Sequence, residues 1–297
     1  MLISLIDINY TMAQSTVTQT KTTSATGTAV MVATAVLVAT VVGTTIGITQ
    51  WQQNAALVVD DLNINGSIAD ATSFTDDITV FRGENAAGST YGQAIAASGD
   101  INSDGREDLI VTDTAVETAD GGRGTVYLYF GSETGPSTTP DWETFVDMSG
   151  FGYALANNCD VNADGYDDVI VSARSEGSSA QGQVLIYYGS ATTPTTGDPD
   201  ARLIGADGSQ YFGQSLVCLS NSGHGGQDLV VYTGNYESGQ SALSLYYASS
   251  SGLSATPDWI YVSGSNFFEK SVNLANLGDV NSDGYQDLGF GKPLSEL

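Results

Sequence analysis

Positive charge is what this sequence has least of. Eight Lys and Arg stand against 34 Asp and Glu in 297 residues, a formal charge of −26. Phosphate binding runs on Lys and Arg, so nucleic acid is excluded as a partner. An anionic membrane surface is disfavoured for the same reason. Histidine occurs once, as His224. Nucleophile–base pairs and zinc clusters need such groups in company, so no catalytic residues are assigned and an enzyme is not expected. The two cysteines, Cys159 and Cys218, are too few for a disulfide framework. They fall at neighbouring but non-equivalent places of successive repeats and are expected to be free, buried thiols, with a bridge between them as the alternative. Proline is scarce (6) while glycine is abundant (35). With Tyr, Val and Ile between turn residues, that mix points to many short strands.

Charge of either sign is missing between Lys21 and Asp60. Within that gap Ala29 to Ile48 has the length of a ~30 Å hydrocarbon core if helical. Residues 29–48 are therefore expected to be a transmembrane anchor, with a cleaved signal segment or buried strands as the alternatives. Lys21 ahead of it and Asp60 and Asp61 behind it orient the remainder outward. Residues 1–28 read as a polar tail, 49–76 as a linker and 77–297 as a repeat region.

The repeat region is organised around acidic loops. Asp100, Asn102, Asp104 and Asp108 place side-chain oxygens at positions 1, 3, 5 and 9 of D-I-N-S-D-G-R-E-D, with Gly105 at the sharp turn. Arg106, at position 7, can offer its backbone carbonyl. The spacing returns at Asp160, Asn162, Asp164, Tyr166 and Asp168, and again at Asp279, Asn281, Asp283, Tyr285 and Asp287. Hard oxygen donors crowded on one turn suit calcium. An EF-hand opens the same way but needs Glu at position 12 and flanking helices; here position 12 is Val111, Val171 or Phe290, inside a short apolar run that reads as a strand. A shorter third loop, Asn221 to Asp228, has Gly223 and Gly225 where the second has Asn162 and Asp164, so no calcium is expected there. His224 in it reads as a solvated loop residue.

The loop starts Asp100, Asp160, Asn221 and Asp279 recur at intervals of 60, 61 and 58 residues. Pro140-Asp141, Pro199-Asp200 and Pro257-Asp258 keep the same beat. A fixed period of this size means stacked supersecondary units, and each unit reads as four strands, the pattern of a propeller blade. About three and a half such units are present. Asp77–Arg82 aligns with the fourth strand of a preceding blade.

Phe151-Gly152 followed by C-D-V-N-A-D-G-Y-D-D-V-I-V resembles the FG-GAP repeat of integrin alpha subunits. Tyr91-Gly92 and Phe212-Gly213 hold the same place in units one and three. The fourth unit departs, with Glu269 after Phe268, and the GAP half is replaced by Val111-Thr112-Asp113 and Val171-Ser172-Ala173. The resemblance implies an all-β, seven-bladed propeller with calcium in the hairpin between the first two strands of a blade, and a partner-binding face opposite. The reading is an exported, calcium-binding module at the cell surface, presenting its propeller face to a protein or glycan. A structural surface protein without a ligand and a propeller-based glycan-active enzyme are the alternatives. Tyr127, Tyr129, Tyr187, Tyr188, Tyr246 and Tyr247 are expected to pack between blades rather than stack on sugars.

Overall fold

The computed structural model of the chain describes residues 90–114, 124–177, 180–220, 223–237, 239–263 and 273–291, together with five short strands before them. Three antiparallel four-stranded sheets follow one another, each a simple meander. The first comprises Ile95–Gly99, Asp108–Asp113, Gly124–Tyr129 and Trp142–Val146. The second comprises Phe151–Ala156, Val169–Ala173, Gln183–Tyr187 and Ala201–Ile204. Gln210–Leu219, Asp228–Tyr236, Gln240–Tyr246 and Trp259–Val262 form the third, and a hairpin of Asn273–Asn276 with Leu288–Gly291 begins a fourth.

Burial explains why short apolar runs alternate with patterned ones. The second strand of each sheet is covered on both faces, so Val169–Ala173 is buried at every residue. The outermost strand is half-covered, and Trp142–Val146 alternates accordingly. Successive sheets stack through their faces. Val126, Leu128 and Trp142 of the first meet Phe151, Val169, Val171 and Tyr187 of the second. Ile170, Val184 and Ile186 of the second meet Phe212, Leu216, Val231 and Tyr246 of the third. Each such aliphatic or aromatic side chain contributes ~1.5–3 kcal/mol by leaving water. Tyr129, Tyr187 and Tyr246 are buried as expected, and Trp142 meets Tyr187 edge-on at 5.4 Å. Tyr247 departs from that expectation: it is exposed and stacks on His224.

The aromatic–glycine pairs sit where one sheet meets the next. Phe151 and Phe212 are buried plugs, and each glycine after them has positive φ, +84° at Gly152 and +83° at Gly213. A Cβ on Gly152 would stand 3.1 Å from Thr112 Cβ, and one on Gly213 2.8 Å from Ser172 Cβ. The register slips there, between Phe151 and Leu155 and between Phe212 and Ser215. Only glycine allows both that conformation and that approach. Thr112 and Ser172 stand in the segments that replace GAP. Thr112 Oγ1 donates to Gly152 O at 2.7 Å, tying one sheet to the next.

One expectation needs correction. Cys159 and Cys218 are not free thiols: they form a disulfide with Cα atoms 5.7 Å apart. Their non-equivalent places in the repeat are what bring them together, because Cys159 follows the first strand of one sheet while Cys218 lies inside the first strand of the next. Of residues 29–48, read as a transmembrane anchor with buried strands among the alternatives, the described ones are the strands Ala29–Met31, Thr40–Val41 and Thr44–Thr45. The β-branched Val and Thr of that stretch favour strands. Its other positions lie outside the described residues, as does the tail, 1–28. Among the described residues no helix is long and apolar enough to cross a membrane. Ile78–Arg82, read as a fourth strand, pairs with Ala55–Val59, which pairs in turn with Ala29–Met31.

Candidate metal-binding loops

The three complete acidic loops fall between the first and second strands of their sheets and share one hydrogen-bond framework. In the first, the Asp104 amide donates to both Asp100 Oδ1 (2.8 Å) and Asn102 Oδ1 (3.0 Å). Gly105 N donates to Asp100 Oδ2 at 2.7 Å and Arg106 N to Asp104 Oδ1 at 3.0 Å. The second repeats this through Asp164, Gly165 and Tyr166 onto Asp160, Asn162 and Asp164. The fourth unit repeats it through Asp283, Gly284 and Tyr285 onto Asp279, Asn281 and Asp283. Position 4 is left-handed in all three, with φ of 55° at Ser103, 56° at Ala163 and 61° at Ser282. Position 6 is glycine with φ near 90° and open space around it.

Positions 1, 3 and 5 are therefore brought together. Two of their oxygens converge on one amide, and the Asn at position 3 turns its Nδ2 to the carboxylate at position 5, at 2.9 Å in the second loop. Position 9 is placed differently. Asp108 accepts Ile101 N and Gly131 N, each at 2.8 Å; Asp168 accepts Val161 N at 2.8 Å and Gly189 N at 3.0 Å. It clasps the loop to the end of the third strand. Burial pushes the Asp168 carboxyl up to about 8 and that of Asp108 to about 6, against the pull of those N–H donors. Among the described residues no group of three or more His, Cys, Asp or Glu side chains is gathered as for a metal ion. The donor chemistry of positions 1, 3 and 5 nonetheless fits a hard cation, since each is a carboxylate or amide oxygen, and each carboxylate oxygen accepting one N–H keeps a second lone pair.

The third loop is built otherwise. Residues 221–222 lie outside the described residues. His224 Nδ1 lies 2.9 Å from Asp228 Oδ2, and its ring stacks on Tyr247 with centroids 4.0 Å apart. His224 is exposed in its loop, as expected, and is held there beside the buried Asp228.

Position 8 escaped sequence reasoning. Asp100 N donates to Asp167 Oδ2 at 2.9 Å, and Asp160 N donates to Gln227 Oε1 at 2.8 Å. Ser220 N reaches Gln286 Oε1 in the same way, at 2.5 Å. The position-8 side chain of each of these loops caps the start of the loop before it, while Asp167 N and Gln227 N donate back to Asp100 O and Asp160 O. The available signal was that position 8 is always an acceptor: Glu107, Asp167, Gln227, Gln286. The Pro-Asp beat has a similar cause: Asp141, Asp200 and Asp258 accept from Phe130 N, Tyr188 N and Tyr247 N at 2.8–2.9 Å, fastening the fourth strand to the third.

Comparison with known proteins agrees with this construction. The family model for the FG-GAP repeat matches residues 151–187, the first three strands of the second sheet with their loop. This segment is similar to the FG-GAP repeat. The chain is 36% identical over 136 residues to integrin alpha-8 of Gallus gallus, covering 44% of this chain and 13% of that protein. It is 33% identical over 157 residues to integrin alpha-4 of Xenopus laevis, 48% of this chain and 14% of that one. It is 34% identical over 152 residues to phosphatidylinositol-glycan-specific phospholipase D of Rattus norvegicus, 46% and 18% respectively. The chain thus spans less than a fifth of the length of these relatives. The chain is similar both to proteins named as integrins and to one named as a phospholipase, so the likeness alone does not fix an activity.

Proposed function

We propose that the chain is an exported, calcium-binding FG-GAP repeat module that acts in cell-surface adhesion or ligand binding, and that its sheets are blades of a β-propeller. The observation that carries the calcium reading is the one framework repeated in three loops with the same oxygen donors; the third loop has Gly223 and Gly225 at two of those places. Calcium would be held by Asp100, Asn102, Asp104, Asp108 and the Arg106 carbonyl in the first loop. The corresponding sets are Asp160, Asn162, Asp164, Tyr166 and Asp168, and Asp279, Asn281, Asp283, Tyr285 and Asp287. It supplies positive charge among crowded carboxylates; the chain's own residues set the donor spacing and fasten the loop to the strands. The disulfide supports export, because such bonds persist in oxidising compartments. The integrin alpha relatives support a protein ligand, with a glycan as the alternative.

Anomalous scattering from calcium-soaked crystals tests the sites: ions are expected at the loops beginning at Asp100, Asp160 and Asp279 and none at Gly223–Asp228. Asp104→Ala should remove the first ion and spare the second, because the loops touch but share no donor. An ion at the third loop, or none at the others, overturns the assignment. Adhesion of beads coated with the chain to immobilised extracellular proteins, in calcium and in chelator, tests the function.

A further inference from the structure

At the end of the second sheet opposite the acidic loops, Arg174 follows the second strand. Its guanidinium lies 3.7 Å over the Tyr153 ring and 5.4 Å from the centroid of Tyr211. Three arginines have described side chains. Arg106 faces Asp104 and Glu133, and Arg202 faces Asp198. Arg174 has no carboxylate within the 4.0 Å of an ion pair among the described residues. Among the described arginines of this chain of net charge −26 it is the one outside any ion pair.

The surroundings hold it in place. Tyr211 has φ +62°, a conformation unfavourable for a bulky aromatic. It is kept there by its amide, which donates to Ala180 O at 2.8 Å, and by the neighbouring Phe212 N, which donates to Gln181 O at 3.1 Å. Strain of this kind persists where the surroundings over-determine it, commonly at binding sites. Tyr211 nonetheless stays exposed, and Arg174 is only half-buried. The guanidinium thus lies against two rings, and among the described residues its N–H fork has no hydrogen-bond acceptor. A stacked guanidinium matches a carboxylate through two parallel N–H···O bonds.

We propose that Arg174, framed by Tyr153 and Tyr211, is a recognition site for the carboxylate of an acidic peptide side chain. A sugar acid is the poorer fit, because the Tyr153 face on which a sugar ring would stack is already covered by the guanidinium. The inference rests on the ligand-binding reading above and gives that ligand its chemistry.

The full chain, 15N-labelled and in calcium, is titrated with Ac-Gly-Asp-Gly-NH2, with Ac-Gly-Asn-Gly-NH2, and with sodium chloride at matched ionic strength, following the backbone amides of Tyr153, residue 174 and Tyr211 in every variant and the Arg174 Nε–H signal in the native chain. Saturable shifts with the Asp peptide alone are expected. Arg174→Met, which keeps an unbranched stem between the rings, should abolish binding without moving the melting temperature. Arg174→Lys, which keeps the charge without the fork, should weaken it roughly ten-fold. Equal shifts from the Asn peptide or chloride, or binding that survives Arg174→Met, overturn the proposal, as does tighter binding of oligogalacturonate than of the Asp peptide. If beads coated with the Arg174→Met chain still adhere to protein surfaces, this site falls while the adhesion reading stands.

Discussion

Gly152 and Gly165 are both left-handed glycines of the second sheet, and they do different work. Gly165 turns an exposed loop where an added methyl would meet nothing within 4 Å, whereas at Gly152 a methyl would press 3.1 Å from Thr112 Cβ in the neighbouring sheet. Gly165→Ala should therefore cost only the penalty of a positive φ, about 1 kcal/mol. Gly152→Ala adds crowding at the seam between sheets and should cost roughly 2–4 kcal/mol. Urea unfolding of the two variants checks the difference; equal losses would mean that the aromatic–glycine pair is selected for its turn alone and not for the approach of the sheets. The tyrosines make the same distinction between local and interfacial causes. Tyr187 is fully buried because it faces Trp142 across the seam, while its sequence neighbour Tyr188 points the other way and is only partly covered.

At the scale of elements, most of what was legible in the sequence was local. Four strands per unit could be read because turn glycines and acidic loops bracket short apolar runs, and each of the three sheets has four. The loop positions 1, 3 and 5 were legible because their spacing is the site. Contacts between repeats were not. The caps from Asp167 and Gln227 join residues 67 apart, and their meaning appears only when one sheet lies on the next. The disulfide was missed for that reason: its cysteines are separated by 59 residues and sit at different places in their repeats, so comparing repeats in register hides the pairing. It also yields a prediction. Closing a loop of that length restricts the unfolded chain by ~2–4 kcal/mol. Cys159→Ser with Cys218→Ser should lower the urea midpoint accordingly, and reduction of the native chain should do the same. No shift in either would mean that the bond does not form in the protein as purified.

For the whole molecule, the question is whether its acidity is a surface property or a set of ion sites. Positions 1 and 5 of each loop bring two carboxylates together, with that of position 9 behind them, and neighbouring carboxylates repel by ~1 kcal/mol per pair at 4 Å in bulk water and more where water is partly excluded. Backbone amides already answer part of that charge: in the first loop Asp104 N, Gly105 N, Arg106 N and Ile101 N all point at carboxylate oxygens. Amides cannot cancel a net charge, and a divalent ion can. Only the folded loop presents its donors together, so an ion that binds there adds its binding free energy to folding. At millimolar calcium and the ~10⁻⁴ to 10⁻³ M affinities common to extracellular modules, that is about 1 kcal/mol per site. Chelation should thus lower the melting temperature by several degrees, and calcium should restore it. Sodium at equal ionic strength provides the necessary comparison, because a charge of −26 is stabilised somewhat by any salt through screening. A variant carrying Asp104→Ala, Asp164→Ala and Asp283→Ala should keep the sodium response and lose the extra calcium response. If sodium rescues as well as calcium in the native chain, the loops are acidic turns fastened by their own amides, and the acidity belongs to the surface.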